Sequence, residues 1–218
     1  MLDVVDGRVL GTLMEKALTT PDQYPLSANA LMLGCNQTTN RHPVMHVEAA
    51  AVDEAVLRLK ALHLARVVHP THGRGVTKYR HVADEALGLD AAESAVLCVL
   101  LLRGPQTAGE LRSRTERLHE FESVGAVEQV LHDLRARSEP MVTLLERLPG
   151  HKEPRWMQLV AEEPMPEPGT FHAAMTAQRT PMGGRDVDPG LAGRVAELEA
   201  RVGRLEAALA DLLDEPGG

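Results

Sequence analysis

VDEAVLRLKA, at residues 52–61, is a stretch with helical periodicity that leads into two short β-like runs within ARVVHPTHGRGVTKYRHV, at residues 65–82. The same pattern returns 75 residues later, as VEQVLHDLRA at 127–136 and MVTLLERLPGHKEPRWMQLV at 141–160. A helix followed by a two-stranded hairpin, with two shorter helical segments before it, is the layout of a winged helix-turn-helix. The chain is therefore predicted to contain two tandem copies of this unit.

Apolar periodicity, capping residues and turn residues predict the other elements of both units. In the first unit the predicted helices cover 6–18, 27–34 and 48–62, and the hairpin strands cover 66–68 and 77–82. In the second unit they cover 91–102, 107–117 and 123–139, with strands at 141–145 and 155–160. Asp90 is placed to cap the first of these second-unit helices, with Glu93 three residues on as in a capping box.

The predicted fold class is mainly α with small β-hairpins, an α+β fold with a C-terminal coiled-coil helix. We expect a first winged-helix domain at 1–84 and a second at 85–160. A flexible linker is expected at 161–189, where Pro, Gly, Glu, Met and Thr replace the periodic pattern. The coiled-coil helix is expected at 190–215.

The last segment carries apolar residues at alternating steps of four and three, the seam of a coiled coil. The seam residues are Leu191, Val195, Leu198, Val202, Leu205, Leu209 and Leu212. Valine at two of the three a positions and leucine at the d positions favour a parallel homodimer. Gly203 interrupts the seam, and an amphipathic helix that packs on its own body stays open as the alternative.

The net charge of −8 is unevenly distributed along the chain. Residues 1–82 hold nine Lys or Arg against seven Asp or Glu, whereas residues 83–160 hold nine against thirteen. A surface that meets a polyanion is therefore expected on the first unit. Cys35 and Cys98 lie far apart without a CxxC motif, which favours a reducing compartment. With no leader and no apolar run long enough to span a membrane, we expect a cytoplasmic protein with no membrane association.

Motifs typical of enzymes are missing from the sequence. There is no GxGxxG, no P-loop, no GxSxG, and no pair of histidines at the spacing of a helical zinc site. We therefore expect a protein that is not an enzyme, with no catalytic residues, no metal and no cofactor.

The third helix of each unit begins with carboxylates, which disfavours the usual insertion of that helix into the major groove of DNA. The better candidates for nucleic-acid contact are the polar segment at 36–41 and the basic hairpin of the first unit. The candidate residues are Asn36, Gln37, Thr39, Asn40, Arg41, Arg66, Arg74, Lys78 and Arg80. A structural role, in which the polar residues cap and hold the loop, stays open beside this one.

Two functions follow from these patterns. The first is a dimeric DNA-binding or transcription-associated protein that uses the first unit. The second is a scaffold for protein partners, with no direct DNA contact, in which the acidic second unit and the aliphatic faces dock onto another protein. Fold analogy supports both equally.

Four stretches of the sequence carry a family resemblance. They are TTPDQYPLSANALMLGCNQTTNRHPVM at 19–45, VTKY at 76–79, LLLRGPQTAGELRSR at 100–114 and EPRWMQL at 153–159. Together they resemble the YceH-like family of uncharacterised bacterial proteins, over about residues 3–160. The resemblance implies a tandem winged-helix fold and a cytoplasmic bacterial protein, and it carries over no functional residues. The C-terminal segment lies largely outside it and is expected to be a lineage-specific addition.

Overall fold

The computed structural model of the chain describes residues 1–70, 75–146 and 153–163. This part is mainly helical with small antiparallel sheets. Its seven α-helices are α1 (Val4–Thr19), α2 (Ala28–Cys35), α3 (Ala49–Ala61), α4 (Ala83–Leu87), α5 (Ala91–Arg103), α6 (Ala108–Thr115) and α7 (Val124–Ala136). The strands are β1 (Leu26–Ser27), β2 (Ala65–Val68), β3 (Lys78–His81), β4 (Val142–Leu144) and β5 (Trp156–Gln158). One sheet has the order β1-β3-β2 and the other pairs β4 with β5.

Side-chain caps explain where the helices begin. Asp3, Asp90 and Thr107 each accept a hydrogen bond from the third residue of the helix that follows and complete a capping box, at α1, α5 and α6. Ser27 and Ser123 cap α2 and α7 through their hydroxyl groups. Each such cap contributes about 1 kcal/mol. The capping box predicted at Asp90 and Glu93 is confirmed.

Within the described residues the predicted helices and strands are all observed, with ends that differ by a few residues. Besides a single 3-10 turn at Pro21–Gln23, two described elements were not predicted. Helix α4 has five residues and ends at Gly88, whose φ of 60° is left-handed. Strand β1 has two residues, which pair with Tyr79 and Lys78 of β3. Both are too short to show a period in the sequence.

One hydrophobic core joins the two halves of the described chain. Residues Met1–Pro166 form one compact unit. Helix α1 packs against α2 and α3 on the first half and against α5 on the second. A side chain on Gly11 would lie 3.0 Å from Leu102, so this glycine lets α1 and α5 approach closely. The amide of Leu2 also donates to the Val160 carbonyl at 3.1 Å, which ties the start of the chain to the end of the second half.

Some predicted features lie outside the described residues. These are the linker beyond residue 163, the coiled-coil seam at 191–212, and Arg74 in the turn of the first hairpin. Within the ranges that are described, no helix has the length and apolar character needed to cross a membrane.

Candidate functional site

The β2–β3 hairpin gathers three of the predicted contact residues. Arg66 lies opposite Arg80, and Val68 lies opposite Lys78. Because side chains alternate along a strand, Arg66, Lys78 and Arg80 share one face of the sheet. On the other face Ala65 is buried and Tyr79 packs against the core. The hairpin therefore presents its three cations on a single face, which we call the hairpin face.

Glu85 of α4 is the carboxylate that pairs with this face. Its two oxygens lie 3.3 Å from Arg66 Nη2 and 3.5 Å from Arg80 Nη2. Both arginine side chains stay accessible, at 61% and 41% exposure. Exposed pairs of this kind contribute about 0–1 kcal/mol, so they give way readily to a phosphate. The hairpin face thus keeps a local excess of positive charge in an acidic chain.

Other predicted residues hold the loop that follows α2. Asn36 donates to the Val47 carbonyl at 2.8 Å and accepts from the Val47 amide at 2.7 Å. The buried guanidinium of Arg8 donates to the carbonyls of Pro43 at 2.7 Å and Cys35 at 3.3 Å. The amide side chain of Asn36 is therefore engaged in loop structure, as the alternative interpretation of the sequence allowed.

Arg41 has a structural position as well. Its side chain is fully buried, and its Nη1 and Nη2 donate to the two carboxylate oxygens of Glu15 at 3.1 Å and 2.6 Å. It also donates to the carbonyls of Gly34 and Asn40. Burial would raise the pKa of Glu15, but the hydrogen bonds and charges of Arg41 and, less strongly, Lys16 together lower it. The prediction that Arg41 contacts nucleic acid is therefore corrected, because its guanidinium does not reach solvent.

The remaining loop residues, Gln37, Thr39 and Asn40, line a cleft of about 440 Å³. The cleft lies where α1 and this loop meet the end of α5 and the start of the segment after α6. The polar loop is joined to α5 because the His42 amide donates to the Leu102 carbonyl at 2.9 Å. Residues that the sequence assigned to separate units thus share one concave surface, which we call the loop cleft.

Four cations that sequence reasoning did not select line the loop cleft. They are Lys16, Arg103, Arg114 and Arg117. Arg103 donates to Asn40 Oδ1, and Lys16 Nζ lies 3.4 Å from Gln37 Oε1. Burial, together with nearby Arg114, lowers the pKa of Arg103. The sequence signal for three of them is the dense arginine run at 103–117, most of which falls on the predicted helix 107–117 of the second unit.

The second half offers no comparable cationic strip on its strands. Neither β4 nor β5 contains Lys or Arg. Arg155, just before β5, is held by Glu110 through contacts of 2.7 Å and 3.0 Å. In the part of the chain that is described, no group of three or more His, Cys, Asp or Glu converges as a metal site would require. Among the described residues, the hairpin face and the loop cleft are therefore two surfaces on which cations gather in a way suited to an anion.

Comparison with known proteins supplies a family. The model described as "Protein of unknown function, DUF480" matches residues 2–151. A UPF0502 protein of Dechloromonas aromatica is 46% identical over 209 residues, which cover 95% of this chain and 94% of the relative. A UPF0502 protein of Paraburkholderia phymatum is 44% identical over 216 residues, covering 99% of this chain and 89% of the relative. The UPF0502 protein GSU0233 of Geobacter sulfurreducens is 49% identical over 164 residues, covering 75% and 74%.

The first two of these relatives correct one expectation. Their alignments extend through the C-terminal segment of the chain, so this segment is shared with them and is not a lineage-specific addition.

Proposed function

This chain belongs to the UPF0502 (DUF480) family, as the resemblance to YceH-like proteins predicted, and we propose that it is a non-enzymatic, DNA-binding or transcription-associated protein. The fold proposed for it is a tandem winged helix. The order α1, α2, α3 and β2–β3 supports the first unit, and α5, α6, α7 and β4–β5 the second. The proposal includes a cytoplasmic location, which the two free cysteines support.

The observation that carries the proposal is the hairpin face. In a winged helix the hairpin contacts the backbone or the minor groove of DNA, and phosphate contacts from Lys and Arg provide most of the non-specific affinity. Arg66, Lys78 and Arg80 offer three such contacts from adjacent positions on one face. In the free protein Glu85 pairs with both arginines. A DNA phosphate can displace its carboxylate at low energetic cost.

Helix α3 is not proposed as the base-reading element. Its only arginine, Arg58, is held by Asp3 at 2.9 Å and Asp6 at 2.9 Å, and its exposed first turns carry Asp53 and Glu54. These carboxylates would face the phosphates and base acceptors of the groove. The proposed binding is therefore mainly to the DNA backbone, with an expected Kd of about 1–100 µM at physiological salt.

The test is a salt-dependent anisotropy titration of a fluorescent duplex. The variant Arg66→Gln/Lys78→Gln removes two phosphate contacts and should flatten the slope of log K against log salt by about 1.8. Arg135→Gln/Lys60→Gln is the charge-matched control, because both residues are exposed on other helices. The control should keep the slope of the unmodified protein. No binding at about 100 µM protein in low salt, or equal slopes for the two variants, would refute the proposal.

A second candidate function is a scaffold for a protein partner. It is favoured by the solvent face of α3, where Leu57 is 65% exposed one helical turn from Asp53. The second half adds exposed carboxylates on α7, at Glu128 and Asp133. A partner that combines apolar and basic groups would suit this surface.

The scaffold is tested by affinity capture from nuclease-treated lysate. One stoichiometric protein that is lost with Leu57→Lys, but retained with Arg66→Gln/Lys78→Gln, would support it. Capture that is insensitive to Leu57→Lys would argue against this face.

A further inference from the structure

The loop cleft is a concave surface rather than an open face. Its volume of about 440 Å³ lies within the range of small-molecule sites, about 300–1,000 Å³. Val99, Leu102 and Leu118 provide apolar wall, while the loop residues Gln37 and Asn40 add amide groups. A ligand lying in this cleft could combine apolar contact with a few directed polar contacts, which is how such sites recognise small molecules.

The cleft is held in shape before any ligand arrives. The Leu102 carbonyl accepts from the His42 amide at 2.9 Å, and Arg103 donates to Asn40 Oδ1. These two contacts hold the polar loop against the end of α5. A preformed site loses little conformational entropy when it binds, so its polar groups contribute more fully to affinity.

The charge lining the cleft is positive. Four cations face two carboxylates, Glu15 and Glu116. Glu15 is bound through both oxygens by buried Arg41 and also lies 3.4 Å from Lys16, so these three side chains together carry one positive charge. Arg114 lies 4.0 Å from Glu110, which is itself shared with Arg155. The chain as a whole is acidic, so this excess is a local feature of the cleft.

Because some of these cations are partly buried, the excess of positive charge is energetically unfavourable in the free protein. Arg103 and Arg114 are both only partly exposed, and burial lowers the pKa of each. Nearby Arg114 lowers the pKa of Arg103 further, whereas at Arg114 the charge of Glu110 opposes burial and Arg155 adds to it. An anion placed among them would relieve both effects, because guanidinium groups bind phosphate and carboxylate strongly where water is partly excluded.

We propose that the loop cleft binds a small molecule with at least two grouped negative charges, carried as phosphates or carboxylates. Arg117 is the exposed cation of the lining, whereas Lys16, Arg103 and Arg114 are only partly exposed. This site is separate from the hairpin face and does not depend on DNA binding. For a protein that binds DNA it would provide an effector site, and for a scaffold it would provide a ligand-dependent contact between the two halves.

The test is isothermal titration calorimetry of the full chain with pyrophosphate and, separately, with citrate, both at constant ionic strength. Pyrophosphate probes the phosphate form of the ligand and citrate the carboxylate form. We expect saturable binding with a Kd of about 1 mM or tighter for at least one probe. Arg117→Gln should weaken that binding by about tenfold, the change typical of losing one hydrogen bond to a charged group.

Matched variants keep the test decisive. Arg103→Gln removes the deeper cation and should weaken binding more than Arg117→Gln, provided that circular dichroism shows it folded. Arg117 is exposed, so Arg117→Gln carries the test if Arg103→Gln does not fold. Arg135→Gln removes the same charge from α7, away from the lining, and should bind as the unmodified protein does.

Binding of one probe alone would support the site and identify its ligand as a phosphate or a carboxylate. Binding of neither probe at about 1 mM, or equal weakening by Arg117→Gln and Arg135→Gln, would overturn the proposal. The DNA titration tests the hairpin face independently, because it depends on Arg66 and Lys78 and not on the cleft residues. Failure of one proposal therefore leaves the other standing.

Discussion

The strongest test of how this fold is held together is the substitution Arg41→Met. It removes a guanidinium that makes two hydrogen bonds to Glu15 and two to backbone carbonyls. The Glu15 side chain is only 12% exposed, so the variant leaves a buried carboxylate without its main partner. Breaking a buried ion pair from one side costs about 3–5 kcal/mol. That is a large fraction of the total stability of a domain, about 5–15 kcal/mol.

Urea unfolding at pH 7, followed by circular dichroism, measures this loss. The unmodified chain, Arg41→Met, Glu15→Gln and the double variant form a double-mutant cycle. The double variant should be more stable than Arg41→Met, because the orphaned charge is absent. Arg66→Met serves as the matched control, since its partner Glu85 is exposed and the pair contributes about 0–1 kcal/mol.

The pH dependence of the loss has a definite sign. In the unmodified chain the pKa of Glu15 is lowered from its ordinary value of 4.5, because Arg41, with a smaller contribution from Lys16, outweighs burial. This pair therefore stabilises the fold fully above pH 4.5, and the contribution is lost as the pH falls through the folded pKa. In Arg41→Met burial is opposed mainly by Lys16, so the Glu15 pKa should rise and protonation should relieve the strain of the buried charge. The deficit of the variant should thus shrink between pH 7 and about pH 5.

Three results would contradict this account of Arg41. They are a deficit below about 1 kcal/mol, a deficit that grows on acidification, and a double variant as unstable as Arg41→Met.

Two further predictions concern packing and assembly. Gly7→Ala should destabilise the chain by about 1–3 kcal/mol in the same urea assay, because its new Cβ would lie 2.6 Å from Ala161 Cβ. Gly109→Ala is the control, because the nearest atom to its new Cβ is 3.9 Å away, and it should be neutral or slightly stabilising. A Gly7→Ala variant as stable as Gly109→Ala would show that α1 can shift away from residue 161. The seam at 191–212 should give a dimeric mass by light scattering, and truncation after Glu163 should give a monomer; equal monomer masses for both chains would reject the seam as a dimerisation element.

Local signals in the sequence predicted the elements well. The caps at Ser27, Asp90 and Ser123 lie where the pattern of polar residue and apolar run indicated, and the hairpin at 65–82 follows its predicted helix. Such features depend on residues within one or two turns of each other, so a single sequence contains them. The alternation along β2 and β3 likewise predicts which cations share a face.

Long-range pairing explains what the sequence did not reveal. Asn36 and Arg41 lie in a polar stretch suited to solvent, yet their partners are 11 and 26 residues away. The loop cleft combines residues 37–40 with residues 98–118, which no local pattern connects. The sequence shows that its cations are present, but only the packing of α1 on α5 brings them together.

At three helix starts the capping-box carboxylate also pairs with an arginine, and this pairing determines which arginines are available to bind a ligand. The carboxylate that closes each capping box, at the third residue of α1, α5 and α6, also binds an arginine from a distant element. The pairs are Asp6 with Arg58 at 2.9 Å, Glu93 with Arg137 at 2.7 Å, and Glu110 with Arg155 at 2.7 Å. Each carboxylate thus satisfies a helix start and ties that start to another part of the fold.

Those three arginines are consequently committed to structure. Substituting any of them removes an ion pair that ties a helix start to a distant element, so a loss of DNA or ligand binding in such a variant would report on folding. Apart from Arg114, which lies 4.0 Å from Glu110, the cations of the hairpin face and the loop cleft lie outside this set of capping-box pairs. Neutralising them should change anion binding while leaving the helix starts intact, and this contrast separates a binding role from a structural one.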